Sequence, residues 1–256
     1  MCKDLKAMHG INVIGGINLE YCILAVYSKN MTKEKMMRDI SIRSRFIKVY
    51  NYNDFNKKLK NHGYVECQKF VCTKAPSLEK FFRDDINSSV SIYIVYDTNA
   101  KIVVGYYTLM ATCMIRDYES HSQEQVTGRE IRVQKNIPCI EIEKFAINEK
   151  YLAWLNKKNY NSKRIGYYVF WEYISKTIAI LSAYINFSFI ILHAIKHEKV
   201  IQAYRNMEFE TFEDDEMNIV SLLDGVTSIK ESYVDDCKFM YMPLETILTS
   251  ILKGGK

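Results

Sequence analysis

Cys139-Ile140-Glu141-Ile142-Glu143-Lys144-Phe145-Ala146-Ile147, followed by Asn161-Ser162-Lys163-Arg164-Ile165-Gly166, is the part of the chain whose reading decides the fold. The first segment reads as an apolar strand. The second is a basic, glycine-bearing turn leading into an amphipathic helix from about Gly166 to Tyr184. Tyr167, Phe170, Trp171, Ile174, Ile178, Leu181 and Ile185 fall at spacings of three and four, the stripe of a helix packed on a sheet. Its aromatics are read as core rather than as a cofactor box. A second apolar strand, Phe187 to Ala194, and a helix ending in Ala203-Tyr204-Arg205-Asn206-Met207-Glu208-Phe209 follow. A strand that delivers such a turn to a helix N-terminus makes a place for phosphate, because unpaired N–H groups and the positive end of the helix dipole point there. The competing reading is a basic helix start with no ligand.

The 256 residues suffice for one sizeable core, or for a domain of about 170 residues plus an extension. Hydrophobic residues make up 48% and charged residues 25%, with three prolines and ten glycines, which excludes a disordered chain. A net charge of +5 suits an anionic ligand such as a nucleotide cofactor or RNA, and is equally a common solubility outcome. The seven cysteines include no C-x-x-C pair, so the usage is that of a reduced compartment, without a disulfide framework or zinc site. No secretory leader opens the chain. The apolar run Ile11 to Tyr27 is interrupted by Asn12, Gly15, Gly16, Asn18 and Glu20, so no membrane span is expected and the location read is cytoplasmic.

Residues 1–62 are read as an N-terminal extension, partly helical and basic. One helix starts at Thr32; another, capped by Asn53 or Asp54, runs through Asn61 and is stopped by Gly63. Lys33, Lys35, Arg38, Arg43, Arg45, Lys48, Lys57, Lys58 and Lys60 concentrate charge there, as a nucleic-acid-binding arm or as a solvated helix face. Residues 63–256 form the main domain. Pro76-Ser77 starts a helix that buries Leu78, Phe81 and Phe82. Val90 to Tyr96 and Ile102 to Thr112 form an antiparallel hairpin around Asp97-Thr98-Asn99-Ala100. Arg116 to Ile137 is polar and unpatterned, and reads as a structureless segment that is either a substrate wall or a surface insertion. Glu210 to Met217 is an acidic loop, and Cys237 to Leu244 a final strand.

In sequence order, six pieces and a closing strand carry a resemblance: Phe70-Val71-Cys72; Leu78-Glu79-Lys80-Phe81-Phe82; Gly105-Tyr106-Tyr107-Thr108-Leu109; Phe145-Ala146-Ile147-Asn148; the basic turn Arg164 to Gly166; Ala203-Tyr204 with Phe209; and Met240-Tyr241-Met242-Pro243-Leu244. Over roughly Phe70 to Leu244 the chain resembles the Gcn5-related N-acetyltransferase superfamily, and within it the toxin-like acetyltransferase branch. The family's phosphate loop reads Gln or Arg, two variable residues, Gly, one variable residue, then Gly or Ala. Here those positions hold Asn161, Arg164 and Gly166, and the glycine before the family's final aromatic is Glu208. If the Arg164 position needs positive φ, arginine there forfeits conformational freedom.

The resemblance implies an α/β fold: a mixed, mostly antiparallel sheet of six or seven strands, helices on both faces, and central strands that splay. It implies transfer of acetyl from acetyl-CoA to a primary amine, with no metal. The pyrophosphate falls to the backbone of Arg164, Ile165, Gly166 and Tyr167, with Lys163 and Arg164 adding charge. The pantetheine arm pairs with the strand at Phe145, Ala146 and Ile147, whose amides also polarise the thioester carbonyl. Tyr204 stands where the family places the tyrosine that protonates the departing sulfur. For the base, Glu141 and Glu143 are read as alternating on one strand face with Cys139 and Phe145, and Glu143 is the candidate, a structural carboxylate being the other reading. His193 and His197 do not share a helical face and are not read as a metal site. Cys72 reads as core. The toxin-like branch implies the amine of an aminoacyl-tRNA as acceptor, a ribbon-helix-helix antitoxin as protein partner, and a homodimer as a compatible assembly. Transfer to a protein or small-molecule amine is one alternative. A catalytically degenerate binding protein is another, favoured by Arg164 and Glu208 at glycine positions.

Overall fold

The computed structural model describes residues 40–84, 91–119, 132–211, 217–221, 225–228 and 237–253. The expected helix at Thr32 lies outside them. A 3₁₀ turn, Ile40–Phe46, leads into β1 (Ile47–Asn51). Three short helices follow: α1 (Tyr52–Lys58), α2 (Gly63–Cys67) and α3 (Pro76–Asp84). The cap of α1 is Asn51, whose side chain accepts from the Asp54 N–H, and not Asn53 or Asp54 as expected. Gly63 does not end a helix; it opens α2.

The hairpin β2 (Ile92–Asp97) and β3 (Ile102–Glu119) turns through Asp97, whose Oδ1 accepts the N–H groups of Asn99 and Ala100 at 3.0 and 2.8 Å. β3 pairs along its length with β4 (Arg132–Ile147). The expected structureless segment is therefore strand as far as Glu119 and again from Arg132, because cross-strand pairing satisfies backbone whose side chains show no pattern. β4 is followed by α4 (Glu149–Lys157), a 3₁₀ turn (Ser162–Arg164) and one continuous rod. The rod comprises α5 (Ile165–Val169), a π turn (Phe170–Ile174) and α6 (Ser175–Leu181), so it begins one residue earlier and ends three earlier than read. Then come β5 (Phe189–Ile195), α7 (Glu198–Asn206), β6 (Glu210–Thr211), β7 (Met217–Ser221), β8 (Gly225–Ser228), β9 (Cys237–Pro243) and α8 (Leu244–Leu252). The expected acidic loop thus begins and ends in strand. Leu244 starts a helix rather than closing the last strand.

The main path of the sheet runs β1-β2-β3-β4-β5-β9-β6, with β7 and β8 added beside β3. All described pairs are antiparallel except β4 with β5. This is an α/β fold with a mixed, mostly antiparallel sheet. β1 lies within the residues read as an extension and forms an edge of that same sheet.

A one-residue bulge interrupts β4. Thr108 pairs with Lys144 and Leu109 with Ile142, leaving Glu143 as the extra residue. Before the bulge Ile140 and Ile142 face the main core; after it Phe145 and Ile147 do. Glu141, Glu143 and Phe145 therefore do not share one face, because the bulge resets the alternation the sequence suggests. Gly105 sits opposite Ile147, where a Cβ would come within 2.5 Å of the Ala146 carbonyl oxygen.

The main core lies between the sheet and α4, the rod, α7 and α8, with Phe170, Ile174 and Ile178 fully buried. Burial of each such side chain contributes about 1.5–3 kcal/mol. On the opposite face α1–α3 cover Ile94, Tyr96 and Tyr106, Tyr106 stacking on Phe82 at 4.4 Å. At one edge Asp97 is fully buried and accepts from Arg43 Nη2 at 2.6 Å and Tyr151 Oη at 2.9 Å. The Arg43 guanidinium lies 4.5 Å from the Trp154 ring centroid. At the other end, α7 closes in a Schellman turn: the Phe209 N–H donates to the Tyr204 carbonyl at 3.0 Å and Glu208 takes φ 74°. The resemblance expects glycine at this position, and the left-handed conformation is the reason.

Both features can be weighed by denaturation. Asp97→Asn leaves the Arg43 charge buried without its counterion and should cost about 3 kcal/mol, read as a lower urea midpoint at unchanged slope. Glu208→Gly removes the left-handed penalty and should raise stability by about 1 kcal/mol; a lower midpoint would show that Glu208 contributes more through its contacts than it loses to its backbone.

Candidate functional site

The candidate site lies where two central strands part. β4 and β5 pair in parallel from Cys139↔Phe189 to Ile142↔Leu192 and no further. Beyond this, Lys144 to Ile147 pair with β3, and His193 to Ile195 with β9. The parting begins at the bulge, so Phe145, Ala146 and Ile147 line its β4 side with an edge that β5 does not use. This is the backbone placement that the resemblance implies for a peptide-like ligand arm.

The basic elbow stands beside it. Asn161 caps the 3₁₀ turn, accepting the Lys163 N–H at 3.1 Å, and Ile165 is buried as an anchor. Lys163 and Arg164 are both exposed at the start of the rod. Arg164 has φ −103°, an ordinary conformation for any side chain. The expected loss of conformational freedom at Arg164 therefore does not arise. An ideal Cβ on Gly166 would lie 3.9 Å from Met207 Cε and 4.0 Å from Ile147 Cγ1, ordinary contact distances. Gly166 is thus the point where the end of β4, the start of the rod and the end of α7 meet. Tyr167 is half-buried next to it.

Tyr204, on α7, is half-buried and packs edge-on against Phe209 at 5.8 Å; Phe209 in turn meets Phe170 of the rod at 5.4 Å. Burial pushes the Tyr204 phenol up to about 12, so at neutral pH it carries its proton. Its packing thus ties it to the rod through the main core.

Glu143 projects at the bulge, paired with Lys144 and 3.5 Å from Thr108 Oγ1. Lys144 lies over the Phe81 ring of α3 at 4.3 Å. The deeply buried acid is instead Glu141, whose Oε1 meets His193 Nδ1 at 3.1 Å, with side-chain exposures of 8% and 7%. Burial lowers the His193 pKa, and the hydrogen bond and charge of Glu141 oppose that shift. Sequence reasoning named both residues without joining them. The signal was the register, since pairing Glu141 with Ile191 places His193 two residues away on the same face. Cys72 is buried, and burial raises its thiol pKa, as expected of core.

A depression of about 480 Å³ beside Gln68, Glu79 and Arg83 shares no residue with the parting of β4 and β5, and Glu79 and Arg83 pair with each other across it. Among the described residues no group of three or more His, Cys, Asp or Glu side chains converges on a metal-sized site. Among them also, no helix is long and apolar enough to cross a membrane.

No protein-family model matches the chain, and no curated protein matches its sequence. Solved structures match its fold. A tyrosine-to-phenylalanine mutant of the AtaT toxin aligns over 87% of this chain and 99% of its own, with a TM-score of 0.53 and 16% identity. The structure of AtaTR bound with AcCoA covers 81% of this chain and 99% of its own, at TM-score 0.51 and 16% identity. The KacTA–DNA complex covers the same shares, at TM-score 0.51 and 13% identity. Parted central strands, a basic elbow at the start of the rod and a shared architecture with these toxins together identify the chain's fold as that of the Gcn5-related N-acetyltransferases.

Proposed function

We propose that this protein is an acetyl-CoA-dependent N-acetyltransferase of the toxin type, acting on the α-amine of an aminoacyl-tRNA. The observation that carries the reading is the parting of β4 and β5 after Ile142/Leu192, which leaves an edge of β4 that β5 does not use, in a chain whose rod starts with a cationic turn. A fold neighbour whose structure is described as bound with AcCoA supports the co-substrate.

In this reading the backbone of Arg164, Ile165, Gly166 and Tyr167 receives the diphosphate, with Lys163 and Arg164 supplying charge. Phe145, Ala146 and Ile147 pair with the pantetheine arm, and an amide of this edge polarises the thioester carbonyl. The amine attacks that carbonyl, the C–S bond breaks, and the Tyr204 phenol gives its proton to the departing sulfur. Glu143, at the bulge where the strands part, is the candidate acceptor of the amine's proton. A ribbon-helix-helix antitoxin is the protein partner that fits a toxin of this kind. The reading of a degenerate binder loses one of its two supports, because Arg164 needs no positive φ.

Two measurements test this. Calorimetry should detect acetyl-CoA binding that Arg164→Glu weakens at least about tenfold through reversed charge; an unchanged affinity would remove the elbow from the site. Tyr204→Phe should bind acetyl-CoA as the wild type does while transferring acetyl to aminoacyl-tRNA about 10²–10⁴-fold more slowly; undiminished turnover would exclude Tyr204 as the acid.

A further inference from the structure

Positive charge gathers at one end of the sheet, beyond what the elbow contributes. Three stretches far apart in sequence, residues 40–51, 97–102 and 148–167, hold nine Lys or Arg against two acids, an excess larger than the +5 of the entire chain. The fold joins them. The Thr98 N–H donates to the Phe46 carbonyl at 2.9 Å, and Arg43 and Tyr151 both donate to Asp97. Ser162 Oγ donates to Asn156 Oδ1 at 2.5 Å, tying the elbow to the end of α4. Both acids are already engaged: Asp97 is buried beneath Arg43, and Glu149 accepts from Thr73 Oγ1 at 2.8 Å. Arg45, Lys101, Lys157 and Lys158 are exposed, as are Lys163 and Arg164, and none of the six has an acidic partner among the described residues. Like charges crowded in this way repel one another. Lys157 and Lys158 gain from the negative end of α4, but Lys163 and Arg164 stand at the positive end of the rod and have no such compensation.

We propose that Arg45, Lys101, Lys157 and Lys158 form a docking face for the ribose–phosphate backbone of the acceptor RNA, alongside the elbow. The choice of RNA rests on the aminoacyl-tRNA reading above; the charge of the face does not. In that reading Lys163 and Arg164 already serve a diphosphate. Four further cations beside them fit a ligand whose phosphates continue along a chain. The polarity of the face selects among polyanionic partners. No large apolar side chain of the three stretches is exposed; those that are, such as Tyr184, Leu248 and Leu252, lie elsewhere. Docking on a membrane by an amphipathic face adds inserted apolar side chains to charge, and a protein interface has a desolvated apolar centre. A nucleic-acid interface is polar and strongly positive. Lysine and arginine contacts to phosphate carry no sequence information, so this face sets where the RNA lies and not which bases it bears.

The test is retention of a pool of aminoacylated tRNA by the full chain across a salt series, with acetyl-CoA affinity measured by calorimetry. The face variant combines Arg45→Gln, Lys101→Gln, Lys157→Gln and Lys158→Gln and leaves the elbow intact. A control combines Lys57→Gln, Lys58→Gln, Lys60→Gln and Lys80→Gln, four exposed lysines of the α1–α3 region, with the same change in net charge. The face variant should bind tRNA at least about tenfold more weakly at ~0.1 M salt, and its slope of log affinity against log salt should be shallower by roughly two. The control should stay near the wild type in both, and both variants should bind acetyl-CoA as the wild type does. If the face variant keeps affinity and slope, or the control loses as much, the cations are a solvated surface and the proposal fails. If the face variant loses acetyl-CoA affinity instead, the cations serve the cofactor's phosphates, and the proposal fails while the transferase reading stands. A wild type that binds phosphatidylglycerol vesicles and not tRNA overturns it as well. If the wild type binds tRNA through this face but neither binds acetyl-CoA nor transfers acetyl, the transferase reading fails and the docking face stands.

Discussion

One extra residue in β4 is the constraint on which the rest of the molecule depends. Up to Ile142 the strand shares a ladder with β5; at Glu143 the bulge raises its twist and turns it away, while β5 stays with β9. Without it, period-two alternation would keep the faces of Glu141 and Phe145 the same and favour continued pairing. With it, five residues of β4 run past their former neighbour. The backbone edge so released is of use only to something that can pair with it. The placement of the rod, α7 and the Glu141–His193 couple all follow from where that parting occurs.

The elbow is not held by a short connection. Between the end of β4 and Ser162 lies α4, whose position is fixed by a buried polar cluster rather than by covalent tightness. Tyr151 donates to Asp97, and Trp154 and Tyr160 lie 4.5 and 5.5 Å from the Arg43 guanidinium. A buried ion pair of this kind contributes little net energy against an apolar alternative, but removal of either partner is expensive. Residues from the opening turn, the β2–β3 hairpin and α4 therefore stand or fall together. The cationic start of the rod is carried by that unit.

The two departures from the glycine pattern have different physical meanings. Arg164 replaces glycine at a position whose backbone is within reach of every residue, and there it adds charge at no conformational cost. Glu208 replaces glycine at a left-handed C-terminal position, where the Cβ is opposed by its own backbone. A sequence pattern weighs both substitutions alike; the dihedrals separate them.

Much of the fold was legible from local pattern. Ile102 to Leu109 and the stripe Phe170, Ile174, Ile178 declared a strand and a helix on its sheet, because alternation and 3.6-residue spacing are properties of neighbouring residues. Asn161 and the Lys163-Arg164 pair likewise marked the elbow. The site was less legible. The bulge at Glu143 is set by the register against Thr108 and Leu109, distant in the chain, and it moved Phe145 to the face opposite Glu141. The meeting of Glu141 with His193 and the strand pairing of residues 132–137 were hidden for the same reason. The sequence by itself determined the order of elements and the charge at the elbow, since these depend on nearest neighbours. Only the tertiary structure decided where β4 leaves β5, which acid faces inward and what it touches, since those are fixed by pairings between residues far apart in the chain.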